Sequence, residues 1–81
     1  MGDRFTQQQA LALVGLRVRT QVEFSGVPVG TAGNVVRADE GAGGYTVAVQ
    51  WELAGRDRPL VDWFDRGEFT RYLESSSPDF L

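Results

Sequence analysis

Between Tyr45 and Glu52 the large apolar side chains fall on every second residue. Tyr45, Val47, Val49 and Trp51 share one face, and Thr46, Ala48, Gln50 and Glu52 the other. A period of two marks a strand with one buried face. The same period sets Leu16, Val18, Thr20 and Val22 against Arg17, Arg19, Gln21 and Glu23. Glycine-rich stretches separate such runs, at residues 24–33 (FSGVPVGTAG) and 40–44 (EGAGG). The first reads as a long, semi-rigid loop folded over one mouth of a small barrel. The second is a hairpin connection in which glycine supplies positive φ. Two further strands are expected, at residues 34–39 with Val35 or Val36 inward, and at residues 60–65. Short strands spaced by glycine-rich turns specify a small barrel or sandwich and not a βαβ fold. Closure also hides strand edges, which matters in a chain this short.

The two ends read as helical. Thr6 is placed as an N-cap, and residues 7–14 bring Ala10, Leu11 and Val14 onto one face before Gly15 ends the helix. Phe5, just ahead of the cap, is positioned to staple onto Gln9 or Ala10. Residues 66–74 form a short helix or 3-10 segment with Phe69, Tyr72 and Leu73 clustered, and residues 54–59 are a charged turn. The expected fold is mostly β. It is a small five-stranded barrel over residues 5–74, with a short N-terminal helix and a short C-terminal helix or 3-10 segment. Residues 1–4 are read as a disordered N-terminus. Residues 75–81 are read as a polar tail in which Pro78 prevents a continued helix.

Composition removes whole classes of chemistry. The 81 residues hold one domain and no second core. There is no cysteine and no histidine. Disulfides, thiolate nucleophiles, the usual zinc ligands and the usual general base are therefore all excluded. Apolar packing must supply the stability, for which 42% hydrophobic residues suffice. All eight basic residues are arginine, yet the net charge is −3, on the wrong side for a dedicated nucleic-acid binder. No basic segment leads into an apolar run, and the longest apolar stretch, residues 10–14, is far too short for a membrane span. A cytoplasmic location, away from membranes, is expected on those grounds.

Residues 15–51 contain Gly15-Leu16-Arg17-Val18, then Pro28-Val29-Gly30-Thr31-Ala32-Gly33-Asn34-Val35-Val36. A hairpin follows, closed by Tyr45-Thr46-Val47-Ala48-Val49-Gln50-Trp51. This segment resembles the opening half of SH3-like barrels, especially those carrying a KOW-type element. In such families a strand leads into a loop, and a glycine allows the sharp start of the next strand; Gly33 matches that glycine. The resemblance implies an SH3-like barrel and several possible employments. Ribosomal and transcription-elongation proteins use the element to contact RNA or protein. Accessory subunits of ferredoxin-dependent and photosynthetic complexes share the fold, as does a plasmid-borne dihydrofolate reductase whose site forms at an oligomer centre. One fold hosting unrelated roles is the usual state of affairs. Residues 59–73 (PLVDWFDRGEFTRYL) match no functional motif.

The carboxylates Glu52, Asp57, Asp62, Asp65 and Glu68 are the first candidates for chemistry. Strand alternation sends Asp62 and Asp65 to opposite faces, whereas acid–base catalysis needs two groups converging on one pocket. Asp65 reads instead as a helix N-cap. Asp39-Glu40 lacks the further acids that a divalent cation needs, and the glycine stretches lack the context and lysine of a phosphate loop. No catalytic residue, metal ligand or cofactor is assigned. Arg17 and Arg19, with Arg37 on the next strand, form a stripe suited to phosphates or to an acidic protein surface, or else the ordinary polar face of a strand. In residues 60–64 either Trp63 or Phe64 must leave the core or be covered by a terminal helix. With Tyr72, Pro28 and Val29 these aromatics form the candidate partner-binding set. The expectation is a non-catalytic module that binds protein or itself, with a homodimer plausible on size. Nucleic-acid binding through the arginine face is the alternative, and an enzyme whose site forms only at an oligomer centre is the minor one. Each reading carries a demand: nucleic-acid binding requires Arg17 and Arg19 on a surface free of carboxylates.

Overall fold

The computed structural model describes residues 4–23, 26–41, 43–53, 55 and 58–75. The expected disordered N-terminus (apart from Arg4) and the polar tail from residue 76 lie outside the described residues, as do Phe24, Ser25 and Asp57. The chain runs α1 (Gln7–Leu13), β1 (Arg17–Thr20), β2 (Ala32–Gly41), β3 (Gly44–Trp51), β4 (Leu60–Phe64), α2 (Arg66–Tyr72) and β5 (Leu73–Ser75). The five strands make one antiparallel sheet in the order β4-β3-β2-β1-β5, a small β-barrel-like fold with two short helices.

Both helices start where side-chain chemistry dictates. Thr6 Oγ1 accepts from the Gln9 amide and Gln9 Oε1 accepts from the Thr6 amide; Asp65 and Glu68 repeat this capping box at α2. The apolar face of α1 differs from the expected one. Ala10 is buried and Leu13 packs on the core, while Leu11 and Val14 are exposed. With only seven residues in the helix, the docking angle decides which apolar pair turns inward. Phe5 is buried in the same core cluster as Ala10. It bridges Tyr45 and meets Phe69 edge to face at 5.8 Å, tying the chain start to α2 through the core.

The core is the inner face of the sheet. Val18 and Thr20 from β1, Val35 from β2, Val47, Val49 and Trp51 from β3, Phe64 from β4 and Leu73 from β5 are all buried. Val27, from the loop after β1, is fully buried with them. That loop is closed at its base by the Gly30 amide donating to the Thr20 carbonyl at 2.9 Å. The buried hydroxyl of Thr20 is satisfied locally, donating to the Val22 carbonyl at 2.6 Å.

Several bounds differ from expectation: β1 ends at Thr20, and β2 runs from Ala32, inside the stretch read as loop, to Gly41. Leu73–Ser75 is a strand paired with β1, not the end of a helix. Its partner lies more than fifty residues away, so local periodicity carries no signal for it. In β2 a bulge between Val35 and Arg37 resolves the Val35-Val36 doublet, leaving Val35 inward and Val36 exposed. Gly33 sits where β2 crosses Trp51. A Cβ there would lie 2.8 Å from both the Trp51 ring and Val49 Cγ1, and 3.0 Å from the Gln50 carbonyl. Steric approach, and not backbone conformation, fixes glycine at this position.

Replacing Gly33 with alanine is therefore expected to destabilise the fold by about 1–3 kcal/mol, the range for overpacking a filled core. Urea unfolding followed by tryptophan fluorescence measures this directly. An unchanged midpoint would show that Trp51 yields without cost.

Candidate interaction surface

Alternation along β3 points Val47, Val49 and Trp51 into the core and Thr46, Ala48 and Gln50 outward. Ala48 is nevertheless completely buried. Its cross-strand neighbours explain this: Arg37 on β2 and Trp63 on β4 stand in register on either side of it. The Arg37 guanidinium lies 6.0 Å from the Trp63 ring centroid, within cation–π range. It also forms an ion pair with Asp39 at 3.2 Å, two residues along the same strand face. Trp63 is left 46% exposed, with Val61 at 38% and Val36 at 42% nearby on β4 and β2. The outer face of β2–β4 thus carries an apolar patch, with a paired cation on its tryptophan.

Register also settles the aromatic doublet of β4. Phe64 faces inward opposite Val47 and meets Trp51 edge to face at 6.3 Å. Only 4% of it is exposed, so Phe64 is a core residue and leaves the candidate partner-binding set. Asp62 shares the inner side with Leu60 and Phe64, and accepts the Trp51 indole N–H at 2.8 Å. The remaining candidates separate. Tyr72 is half-buried against the core beneath Arg71, and its carbonyl accepts from the Gln21 amide. Pro28 and Val29 are exposed on the loop anchored at Thr20. Tyr72, Pro28 and Val29 therefore belong to the β1–β5 flank of the sheet, while Trp63 belongs to the β4 flank.

The three arginines do not form a free cationic stripe. Arg17 grips Glu52 through two parallel hydrogen bonds of 2.6 and 2.9 Å, and Asn34 donates to the same carboxylate. Hydrogen bonding to the Arg17 guanidinium, more than its charge, holds the Glu52 carboxyl below the usual carboxylate range and raises Arg17 in turn. Arg19 donates to the Gly30 carbonyl at 3.0 Å, bracing the loop. Arg17 and Arg37 thus each carry a carboxylate beside them, which the phosphate reading did not allow.

Two open hollows flank this face. One, of about 310 Å³, lies between Glu52, Arg58 and Leu60; the other, of about 170 Å³, lies between Arg4, Tyr45 and Asp65. Among the described residues each hollow is lined by a single carboxylate, Glu52 in the larger and Asp65 in the smaller, and no metal-ligating cluster of three occurs. No helix among the described residues is long and apolar enough to cross a membrane. Comparison with protein-family models, characterised proteins and solved structures returned no match. Sequence reasoning overlooked Val36 and Val61 as surface. The adjacent valines at 35 and 36 were the available signal, since regular alternation cannot bury both.

The Glu52 shift has a sign that can be checked. A carboxyl depressed in the folded state adds stability above its unfolded pKa, and loses it as pH falls through the lower folded value. The stability difference between wild type and Glu52→Gln is expected to be small and positive at neutral pH. It should vanish on acidification below the ordinary glutamate range, and shrink with added salt because the pair is exposed. Urea midpoints for both proteins across pH test this; a difference independent of pH would remove the ion pair as its cause.

Proposed function

We propose that this chain is a non-catalytic, protein-binding module that acts by self-association, with the outer face of β2–β4 around Trp63 as its contact surface. The observation that carries the reading is the half-exposed Trp63, with the exposed Val61 two residues away on β4 and the exposed Val36 at the bulge of β2. Tryptophan and arginine are the residues most enriched where binding energy concentrates, and a rigid sheet presents them with little entropy left to lose. Arg37 and Asp39 supply polar groups beside the apolar centre. The glycine-led start of β2 and the five antiparallel strands support the SH3-like reading of residues 15–51. Phosphate recognition draws less support, because Arg17 and Arg37 each already hold a carboxylate.

Sedimentation equilibrium over a wide concentration range, with and without a mixed oligonucleotide at low salt, tests the proposal. The expected mass rises with protein concentration and is indifferent to oligonucleotide. Trp63→Ser should weaken association at least tenfold, on the order of 2 kcal/mol, while the monomer still folds with a lowered unfolding midpoint, because Ala48 loses part of its cover. A strictly monomeric protein, or one that comigrates with oligonucleotide and releases it as salt rises, overturns the reading.

A further inference from the structure

The backbone at the free edge of β4 defines how two copies would join. The Glu52 amide donates to the Ala32 carbonyl at 2.9 Å, so the even-numbered residues of β3 turn their backbone groups toward β2. The odd-numbered ones face the other flank, as the Tyr45 amide does in donating to the Phe5 carbonyl at 3.3 Å. Val47, Val49 and Trp51 therefore bond to their register partners Phe64, Asp62 and Leu60. What remains on β4 is Val61 and Trp63, whose N–H and C=O groups point away from the sheet. Among the described residues no loop or cap group bonds to these four atoms.

This edge has defined ends. Pro59, at its start, has no N–H to offer, and the Asp65 amide beyond its far end already donates to Glu68 Oε1 at 3.0 Å. The strand has neither lysine nor an internal proline, the usual guards of a sheet edge. The opposite edge, β5, is only three residues long, and its Leu73 carbonyl already accepts from Gln21 Nε2.

Resting on the self-association reading above, we propose that two copies pair antiparallel along β4, about a two-fold axis through Asp62, and merge their sheets into one. A two-fold at Val61 would set Trp63 against the partner's Pro59, which cannot donate. A two-fold at Trp63 would set Val61 against the partner's Asp65, whose amide is occupied. Only the axis at Asp62 uses all four groups, giving four backbone hydrogen bonds between Val61 and the partner's Trp63 and the reciprocal pair. On the outer face each Trp63 then packs beside the partner's Val61, joining the two apolar patches. On the inner side the two Asp62 carboxylates stand opposite one another, and like charges in that position oppose pairing. The edge is self-complementary in its backbone and restrained by one charge.

Hydrogen exchange of the Val61 and Trp63 amides, followed against protein concentration, reads the pairing directly. Both should be protected as the dimer forms and exchange freely on dilution. Val61→Pro removes an amide that β3 does not use, so the fold is kept while dimerisation weakens roughly tenfold or more. Asp62→Asn keeps an acceptor for the Trp51 indole and should tighten dimerisation several-fold. A dimer in which both amides exchange freely, or one unmoved by Val61→Pro but broken by Trp63→Ser, overturns edge pairing and leaves association through the outer face standing. A protein that stays monomeric at every concentration overturns both.

Discussion

Eight register pairs tie β2 to β3, from Gly33 opposite Trp51 to Gly41 opposite Gly44, and the rest of the core is assembled on that ladder. β1 joins it through Gly33 and Asn34, β4 through the odd-numbered residues of β3, and both α1 and the chain start pack against it. The chain has no disulfide to hold a loose arrangement together, so the contact of Gly33 with the Trp51 ring has to be close. A small barrel-like body buries proportionately little surface, and a void at the crossing of its two longest strands would be felt throughout.

The inner and outer faces of this sheet divide the labour. Inside, polar groups are few and each is answered: Thr20 by the backbone of Val22, Asp62 by the Trp51 indole. Outside, the arginines that strand alternation lines up as a stripe are instead spent in short-range pairs. Arg17 with Glu52 and Asn34 clamps three strands at one end of the sheet, and Arg37 covers Ala48 in company with Trp63. Charges so paired neutralise the face locally and leave its apolar centre as the distinctive feature.

The parts legible in the sequence were those with local causes. Thr6 and Asp65 announce helix starts, because a capping side chain and its amide are three residues apart. The strands around Val18 and Val49 announce themselves by alternation, and glycine clusters mark the loop and hairpin between them. What failed to show was non-local. β5 exists only because β1 offers it an edge, Glu52 meets Arg17 across 35 positions, and the choice of Phe64 over Trp63 for the core depends on register with Val47. The α1 face was misread because a seven-residue helix carries too few apolar positions to define an angle.

Val27 gives the long loop after β1 an unusual status. The residue is as buried as any in the core, while Pro28 and Val29 beside it stand in solvent. Among its described residues the loop is closed below by Thr20 and Gly30 and held to the core by the buried Val27 side chain, which ties its exposed tip to the sheet. Sequence change at the tip can then proceed without disturbing strand register, since the pin and the closing bond lie outside the altered positions. The fold thereby separates exposed positions that tolerate change from a framework that does not.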